Sequence, residues 1–168
     1  MNIRRMSFIS ALVILSATFH INQAVAQDDR DAVLNEIEQA RSIGQEQWKQ
    51  LVALNLTLSE QEAGGFWPVY DEYRSAMAKV NDRLLTLITD YADSFNSNSL
   101  TDKEAKRLVE EYLSIQEQEV KTKKKYLKKF QKVLPAKKVM LFYQIDNKMM
   151  SMIKAGIALE VPLVSEVD

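Results

Sequence analysis

Cysteine is absent from the 168-residue chain, and histidine occurs once, at His20. The lack of cysteine excludes disulfides, thiolate nucleophiles and a lipid-modified cysteine anchor. A single histidine cannot build most zinc and copper sites, and His20 lies in the segment that we expect to be removed on export. Without it, the usual Ser-His and Cys-His nucleophile pairs are excluded as well. We therefore predict no catalytic residue, no cofactor and no metal ligand, and we do not expect an enzyme.

Helix breakers are also scarce, with four glycines and three prolines in the whole chain. Apolar residues recur at steps of three and four almost throughout, which is typical of amphipathic helices. The sequence therefore predicts an all-α fold, an antiparallel helical hairpin or four-helix bundle with one long central hairpin. The net charge of −1 hides an uneven distribution: acids dominate up to Glu119, whereas residues 121–138 contain lysines and no acid.

The N-terminal residues have the three parts of a secretory signal peptide. Arg4 and Arg5 give a positive start, residues 8–19 are mostly apolar, and Ala24-Val25-Ala26 suits signal peptidase. The apolar run is shorter than the roughly 20 residues of a membrane-spanning helix, so we expect cleavage before Gln27 and no stable membrane insertion afterwards. The predicted organisation is a signal peptide over 1–26 and a single helical domain over 27–168, which is exported.

N-cap residues and prolines indicate where the helices of the exported chain begin and end. Ser59 and Thr101 are expected N-caps, each followed three residues later by a glutamate that can complete a capping box. Pro68 predicts a kink or a helix restart, with Gly64-Gly65 absorbing the strain, and Pro135 fits the first turn of the last helix. The expected helices cover about 28–54, 60–95, 102–134 and 135–161.

The second and third helices should form the antiparallel hairpin, folding about residue 98. That register places Tyr126 near Tyr70 and Phe130 near Phe66, so we predict an aromatic cluster of these residues and Trp67. Truncating such large core aromatics destabilises proteins strongly. The apolar stripe of the second helix consists of Phe66, Tyr70, Tyr73, Met77, Val80, Leu84, Leu87, Tyr91 and Phe95.

The third helix carries polar residues on its apolar face. At 100° per residue, Gln116, Glu119 and Lys123 fall among its apolar side chains. Glu119 precedes Lys123 by four residues, the favourable order for an ion pair, and the register places both opposite Tyr73. We predict that Tyr73, Glu119 and Lys123 form a polar belt, either buried and hydrogen-bonded or open to water. The apolar residues of this face are Leu108, Tyr112, Ile115, Tyr126, Phe130 and Leu134.

In the last helix, Val139, Phe142, Tyr143, Met149, Ile153 and Ile157 are expected to face the core. The apolar C-terminal residues 157–164 are expected to pack on the bundle. Three methionines, Met149, Met150 and Met152, could bind Cu(I), but core packing is the simpler interpretation of their spacing.

A group of lysines lies across the other side of the third helix. They form either a solvated helix face or a surface for acidic clients, lipid headgroups or cell-wall polymers. Nucleic acid is not an expected partner of an exported protein. This candidate client or partner surface comprises Lys121, Lys124, Lys125, Lys128, Lys129 and Lys132.

Several segments resemble known exported proteins. Leu-Ser-Glu-Gln-Glu at 58–62 and Leu-Thr-Asp-Lys-Glu at 100–104 are similar to the Leu-Thr-x-x-Gln motif of the Spy and CpxP family of periplasmic helical proteins, although both copies end in glutamate. Residues 66–73, 126–138 and 142–148 resemble a second group of exported helical proteins of Gram-negative bacteria. That second likeness covers nearly all of the exported chain and implies a fold and a compartment, without an activity.

The resemblance implies an ATP-independent chaperone that binds protein clients, or a modulator of envelope stress. It is compatible with an antiparallel homodimer. A different class of function stays open, that of a structural or adaptor protein holding an envelope partner through the long hairpin. Metal sensing, known in relatives of the Leu-Thr-x-x-Gln family, ranks third because the exported chain lacks the histidines that such sites use.

Overall fold

The computed structural model describes residues 44–164, apart from the side chain of Glu160. This part of the chain contains four helices and no strand, which confirms the all-α fold class. The predicted signal peptide, its cleavage site and the start of the first helix lie outside the described residues. The helices are α1 (residues 44–55), α2 (Glu60–Asn96), α3 (Asp102–Phe130) and α4 (Ala136–Glu160).

These residues form two compact units. The first contains residues 44–57 and 144–160, and the second contains residues 58–143 and 161–164. In the first unit Trp48, Val52 and Leu56 are buried at steps of four, as expected for one face of a helix. The candidate surface belongs to the second unit, which is built from α2, α3 and the first turns of α4.

The start of α2 is the predicted capping box. The Ser59 hydroxyl accepts from the Glu62 N–H at 3.3 Å, and the Glu62 carboxylate accepts from the Ser59 N–H at 2.8 Å. Pro68 does not restart the helix, since α2 runs unbroken from Glu60 to Asn96. Pro68 therefore removes one backbone hydrogen bond inside a continuous helix.

Gly65 has a different role from the one predicted. Neither it nor Gly64 adopts a positive φ. A Cβ atom on Gly65 would lie 3.1 Å from Cβ and Cγ1 of Val133, whereas a Cβ atom on Gly64 would meet nothing within 4 Å. Gly65 is therefore needed for the close approach of the segment after α3, and Gly64 is not.

A Schellman motif closes the turn between α2 and α3. Asn98 adopts a left-handed φ of 51°. Its N–H donates to the Phe95 carbonyl at 3.1 Å, and the Ser99 N–H reaches back to the Ser94 carbonyl at 2.9 Å. These bonds satisfy the last carbonyls of α2, and the chain reverses over the five residues 97–101 between the two helices. The antiparallel hairpin folding about residue 98 is confirmed.

The Thr101 N-cap of α3 is confirmed, but the predicted reciprocal bond from Glu104 is replaced by an ion pair with Arg107, and the helix does not end where the sequence indicated. The Thr101 hydroxyl accepts from the Glu104 N–H at 3.3 Å, and the Glu104 carboxylate binds Arg107 at 2.6 Å. The helix ends at Phe130 instead of Leu134, because residues 131–134 form a turn that leads into α4. Lys132 therefore lies in this turn and not on the helix.

The hairpin has two cores along its length. Near the turn, Val80 and Leu87 of α2 pack with Leu108 and Ile115 of α3, and we call these four residues the aliphatic core. At the other end, rings from three helices meet, and Phe130 lies 5.5 Å from Phe66 and 4.6 Å from Phe142 between ring centroids. We call this second group the aromatic core; it comprises Phe66, Trp67, Tyr70, Tyr73, Tyr126, Phe130, Phe142 and Tyr143.

The predicted aromatic cluster is therefore present, with Phe142 and Tyr143 added from α4. Tyr126 packs on Tyr73 at 5.5 Å, one helical turn along α2 from the expected Tyr70. The predicted buried face of the third helix is only partly correct. Tyr112 is 46% exposed and Gln116 is exposed, while Thr122 is buried. Leu108, Ile115 and Thr122 lie seven residues apart, so the face follows a heptad, from which a 100° plot drifts by about 20° per seven residues.

The buried face of α4 also differs from the prediction. Val139 and Phe142 are buried as expected, but in the first unit Asp146 and Met150 are buried at steps of four, while Met149 is only half-buried. After α4, the Tyr91 hydroxyl donates to the Pro162 carbonyl at 2.8 Å. Leu159 and Leu163 are 86% and 89% exposed, and among the apolar side chains of residues 157–164 only Ile157 and Val161 are half-buried, so the predicted apolar packing of this segment is mostly wrong.

Candidate binding surface

The six candidate lysines do not form one surface. Lys124 and Lys128 lie on the outer side of α3, and Lys132 lies in the following turn. Lys121 and Lys125 line a groove between α3 and α2, and Lys121 also borders the outer side of the helix. Lys129 is half-buried and forms an ion pair with Glu72 of α2. The prediction that all of them face away from α2 is wrong for these three.

The groove between α2 and α3 has a volume of about 710 Å³. Its floor includes the buried Val80, Thr122 and Tyr126. On the α2 side, the short side chains of Ser75 and Ala76 leave the space open. The lining residues are Glu72, Ser75, Ala76, Lys79, Val80, Arg83, Gln118, Lys121, Thr122, Lys125 and Tyr126.

Charges in the groove are unevenly paired. Glu72 is the one carboxylate in the lining, and its hydrogen bond raises the pKa of Lys129 above the ordinary value. Arg83 is held by Glu111 at 2.9 Å and by Ser114 at 3.0 Å. Within residues 44–164, the ammonium groups of Lys79, Lys121 and Lys125 have no carboxylate partner, although Lys125 lies 5.5 Å from the Tyr126 ring centroid. The groove therefore has an excess of positive charge.

The outer side of α3 is unusually apolar for an exposed helix face. A shallow depression of about 490 Å³ is lined there by Gln116, Glu117, Val120, Lys121 and Lys124. Apolar side chains and lysines thus lie side by side on this helix. Its exposed large apolar residues are Val109, Tyr112, Leu113 and Val120, with exposed fractions of 59%, 46%, 55% and 51%.

Two members of the predicted polar belt form an ion pair. Lys123 Nζ lies 2.6 Å from Glu119 Oε1, and their side chains are 24% and 13% exposed. Tyr73 is fully buried among aromatic rings. Tyr143 of α4, which the sequence argument did not assign to the belt, donates its hydroxyl hydrogen to the Lys123 carbonyl at 2.8 Å. The pair therefore lies beside α4 as well as α3.

Sequence reasoning missed Lys79 and Thr122, which complete the groove. Lys79 stands one residue before Val80 of the α2 stripe, so its position at the edge of the helix interface could have been inferred. No group of three or more His, Cys, Asp or Glu residues in the described chain is arranged to hold a metal ion. Over the same residues, no helix has both the length and the apolar character to cross a bilayer.

No protein-family model matches the chain, and comparisons with curated proteins and with solved structures gave no significant match.

Proposed function

We propose that this protein is an exported, ATP-independent chaperone-like protein of the periplasm that binds non-native protein clients and acts in the envelope stress response. The observation that supports this proposal is the surface of α3. Exposed apolar side chains such as Leu113 and Val120 lie next to lysines that have no acidic partner in the described chain. A client presents both acidic and apolar groups, and this surface can contact both.

Binding begins with charge and is completed by apolar contact. Exposed charges act over about 10 Å at 0.1 M salt, so the lysines accelerate the first encounter with an acidic client. The exposed apolar residues of α3 then exclude water from the contact, at about 25 cal/mol per Å² of apolar surface buried. No nucleotide is required for this cycle, because release follows from refolding of the client, which buries its own apolar groups.

The test is suppression of aggregation by the protein purified after expression of the full chain. It should delay aggregation of unrelated clients at low salt, and the delay should shorten as salt rises. Replacing the α3 lysines Lys121, Lys124, Lys125 and Lys128 with Gln should shorten it similarly while the circular dichroism spectrum is unchanged. The matched control removes the same charge from other exposed lysines, Lys103, Lys106, Lys137 and Lys148. Equal loss in both variants would argue against a specific lysine surface.

An adaptor that holds one envelope partner is the second candidate. It is favoured by the length of α2, whose 37 residues extend for roughly 55 Å at 1.5 Å per residue and give an elongated surface. An adaptor would bind one partner at a fixed stoichiometry and leave aggregating test proteins unaffected. If no unrelated client is protected at low salt, the chaperone proposal fails and the adaptor replaces it.

A further inference from the structure

We propose that the groove between α2 and α3 binds an acidic polypeptide segment that also carries apolar side chains. This inference rests on the proposed function, because it identifies which part of a client the protein holds. The groove is distinct from the outer side of α3, where Lys124 and Lys128 lie. Its cationic residues are Lys79, Lys121 and Lys125, one from α2 and two from α3.

Charge complementarity supports an acidic ligand. The three ammonium groups lack carboxylate partners in the described residues, and the single carboxylate of the lining, Glu72, is already bound by Lys129. Arg83 is fixed by Glu111 and Ser114, so it closes one end of the wall without competing for the ligand. A ligand carboxylate therefore meets cations that give up no internal ion pair when they bind it.

The shape of the groove fits a short length of chain. From Glu72 to Arg83 the α2 wall advances eleven residues, or roughly 16 Å at 1.5 Å per residue. An extended peptide covers that length with about five residues at 3.3 Å each. The Ser75 and Ala76 side chains leave space above a floor that includes Val80 and Tyr126, so apolar side chains of the peptide can be buried between its acids.

The walls favour a peptide over a phosphate group. Phosphate sites commonly use free backbone N–H groups at a helix N-terminus or in a nest. Both walls here are interior parts of unbroken helices, whose N–H groups are used within the helix. The only guanidinium in the lining, which would suit a phosphate best, is engaged by Glu111. Lysine ammonium groups around a partly apolar floor instead suit carboxylates separated by apolar side chains.

The experiment measures fluorescence anisotropy of a labelled peptide of alternating Glu and Leu, with the purified protein at low salt. Replacing Lys79, Lys121 and Lys125 with Gln should weaken binding at least about tenfold, since three close charges are lost. The matched control, in which Lys124, Lys128 and Lys132 become Gln, has the same net charge and should weaken binding less than about threefold. Equal weakening in the two variants would overturn the groove and leave only long-range attraction.

A second variant tests the space and not the charge. Ser75→Trp fills the groove from the exposed side of α2, and it should weaken the peptide about as much as the triple groove variant. Unchanged binding by a folded Ser75→Trp protein, checked by circular dichroism, would overturn the groove assignment. Tripolyphosphate is the competing probe. If it binds more tightly than the peptide and loses affinity in the triple groove variant, the site is one for phosphate and the peptide assignment is wrong.

Failure of this inference can be distinguished from failure of the proposed function. If the protein delays aggregation but the triple groove variant and its control bind the peptide equally well, the chaperone proposal stands and the groove assignment is wrong. Groove-dependent peptide binding without any delay of aggregation supports the groove and overturns the chaperone.

Discussion

The two ends of the α2–α3 hairpin are stabilised by different side chains and by different numbers of helices. At the turn end, the aliphatic core of Val80, Leu87, Leu108 and Ile115 lies between two helices. At the other end, α4 contributes Phe142 to the aromatic core, and Phe66, Phe130 and Phe142 are all fully buried. Because α4 packs against α2 and α3 at this end, the large aromatic rings are shielded from water on all sides.

The ion pairs do not compensate for this difference. Arg83–Glu111 at 2.9 Å and Arg107–Asp90 at 2.8 Å join α2 to α3 near the turn, with side chains between 35% and 49% exposed. Exposed pairs of this kind contribute about 0–1 kcal/mol each, less than the burial of one large apolar side chain. The aromatic core should therefore supply most of the stability of the second unit.

The largest effect is expected from Phe130→Ala. This change removes a ring that contacts Phe66, Tyr73 and Phe142, and it should lower the free energy of unfolding by about 3–5 kcal/mol. Urea unfolding followed by circular dichroism measures it. Tyr112→Ala, at an exposed aromatic of the same helix, is the control and should change stability by about 0.5 kcal/mol or less. Similar losses from both changes would mean that the aromatic core is not packed as described.

A smaller loss is expected at the turn end from Leu87→Ala. Its side chain lies in a two-helix core, where the partly buried Leu84 and Tyr91 can move toward the vacated space. The free energy of unfolding should fall by about 2–3 kcal/mol, near the lower limit for such truncations. A loss larger than that of Phe130→Ala, measured in the same urea series, would reverse the ranking of the two ends.

Still smaller effects are expected from alanine at the neighbouring glycines of the aromatic end, and the two positions should differ. Gly64→Ala adds a methyl group that meets nothing within 4 Å, so it should stabilise the protein by about 0.5–1 kcal/mol through helix propensity. Gly65→Ala should lack this gain, because its Cβ lies 3.1 Å from Val133. The comparison of their thermal unfolding midpoints is the measurement. Equal stabilisation by both would show that Val133 moves aside without cost.

The smallest effect is a pH dependence. The Lys138 ammonium, and then the Ser59 N–H, hold the pKa of Glu62 below its ordinary value of 4.5. A depressed folded-state pKa adds stability above that ordinary value, and this is lost as pH falls through the folded-state pKa. The difference in urea midpoint between the native protein and Glu62→Gln should therefore shrink from pH 7 to pH 3. A constant difference over this range would contradict the linkage.

The same change near the turn gives a comparison. Arg107 lowers the pKa of Glu104, so the advantage of the native protein over Glu104→Gln should also decrease in acid. Each variant removes one ion-paired carboxylate, Glu62 at the aromatic end or Glu104 near the turn. The pH trend should therefore be the same at both ends, although their apolar cores differ. Opposite pH trends in the two variants would show that one of the two ion pairs does not form in solution.

The α2 stripe was predictable because its period is regular and its residues are large. From Phe66 to Phe95 the predicted residues are buried or half-buried. The α3 face was only partly predictable, because a helix plotted at 100° per residue departs from a heptad over its length. Thr122, which the sequence argument did not assign, is buried because it lies seven residues after the buried Ile115.

The groove could not be predicted from either helix alone. It exists because Ser75 and Ala76 are short where α3 places Lys121 and Lys125, and that juxtaposition depends on the exact register of two helices. The sequence argument grouped the lysines by their own helix and did not consider Lys79 on α2. Likewise, the Tyr143 hydroxyl reaches the backbone carbonyl of Lys123 only because α4 packs there.

The tight turn at Asn98 also has a consequence for the order of folding. The chain reverses at Asn98 over only five residues, so contacts near it, such as Leu87 with Leu108, close a much shorter loop than Phe66 with Phe130. Short loops cost less entropy to close. We expect folding to nucleate at the aliphatic core and the aromatic core to form after the rate-limiting step. Mutations such as Phe130→Ala should then act mainly by accelerating unfolding, whereas changes near Asn98 should slow folding.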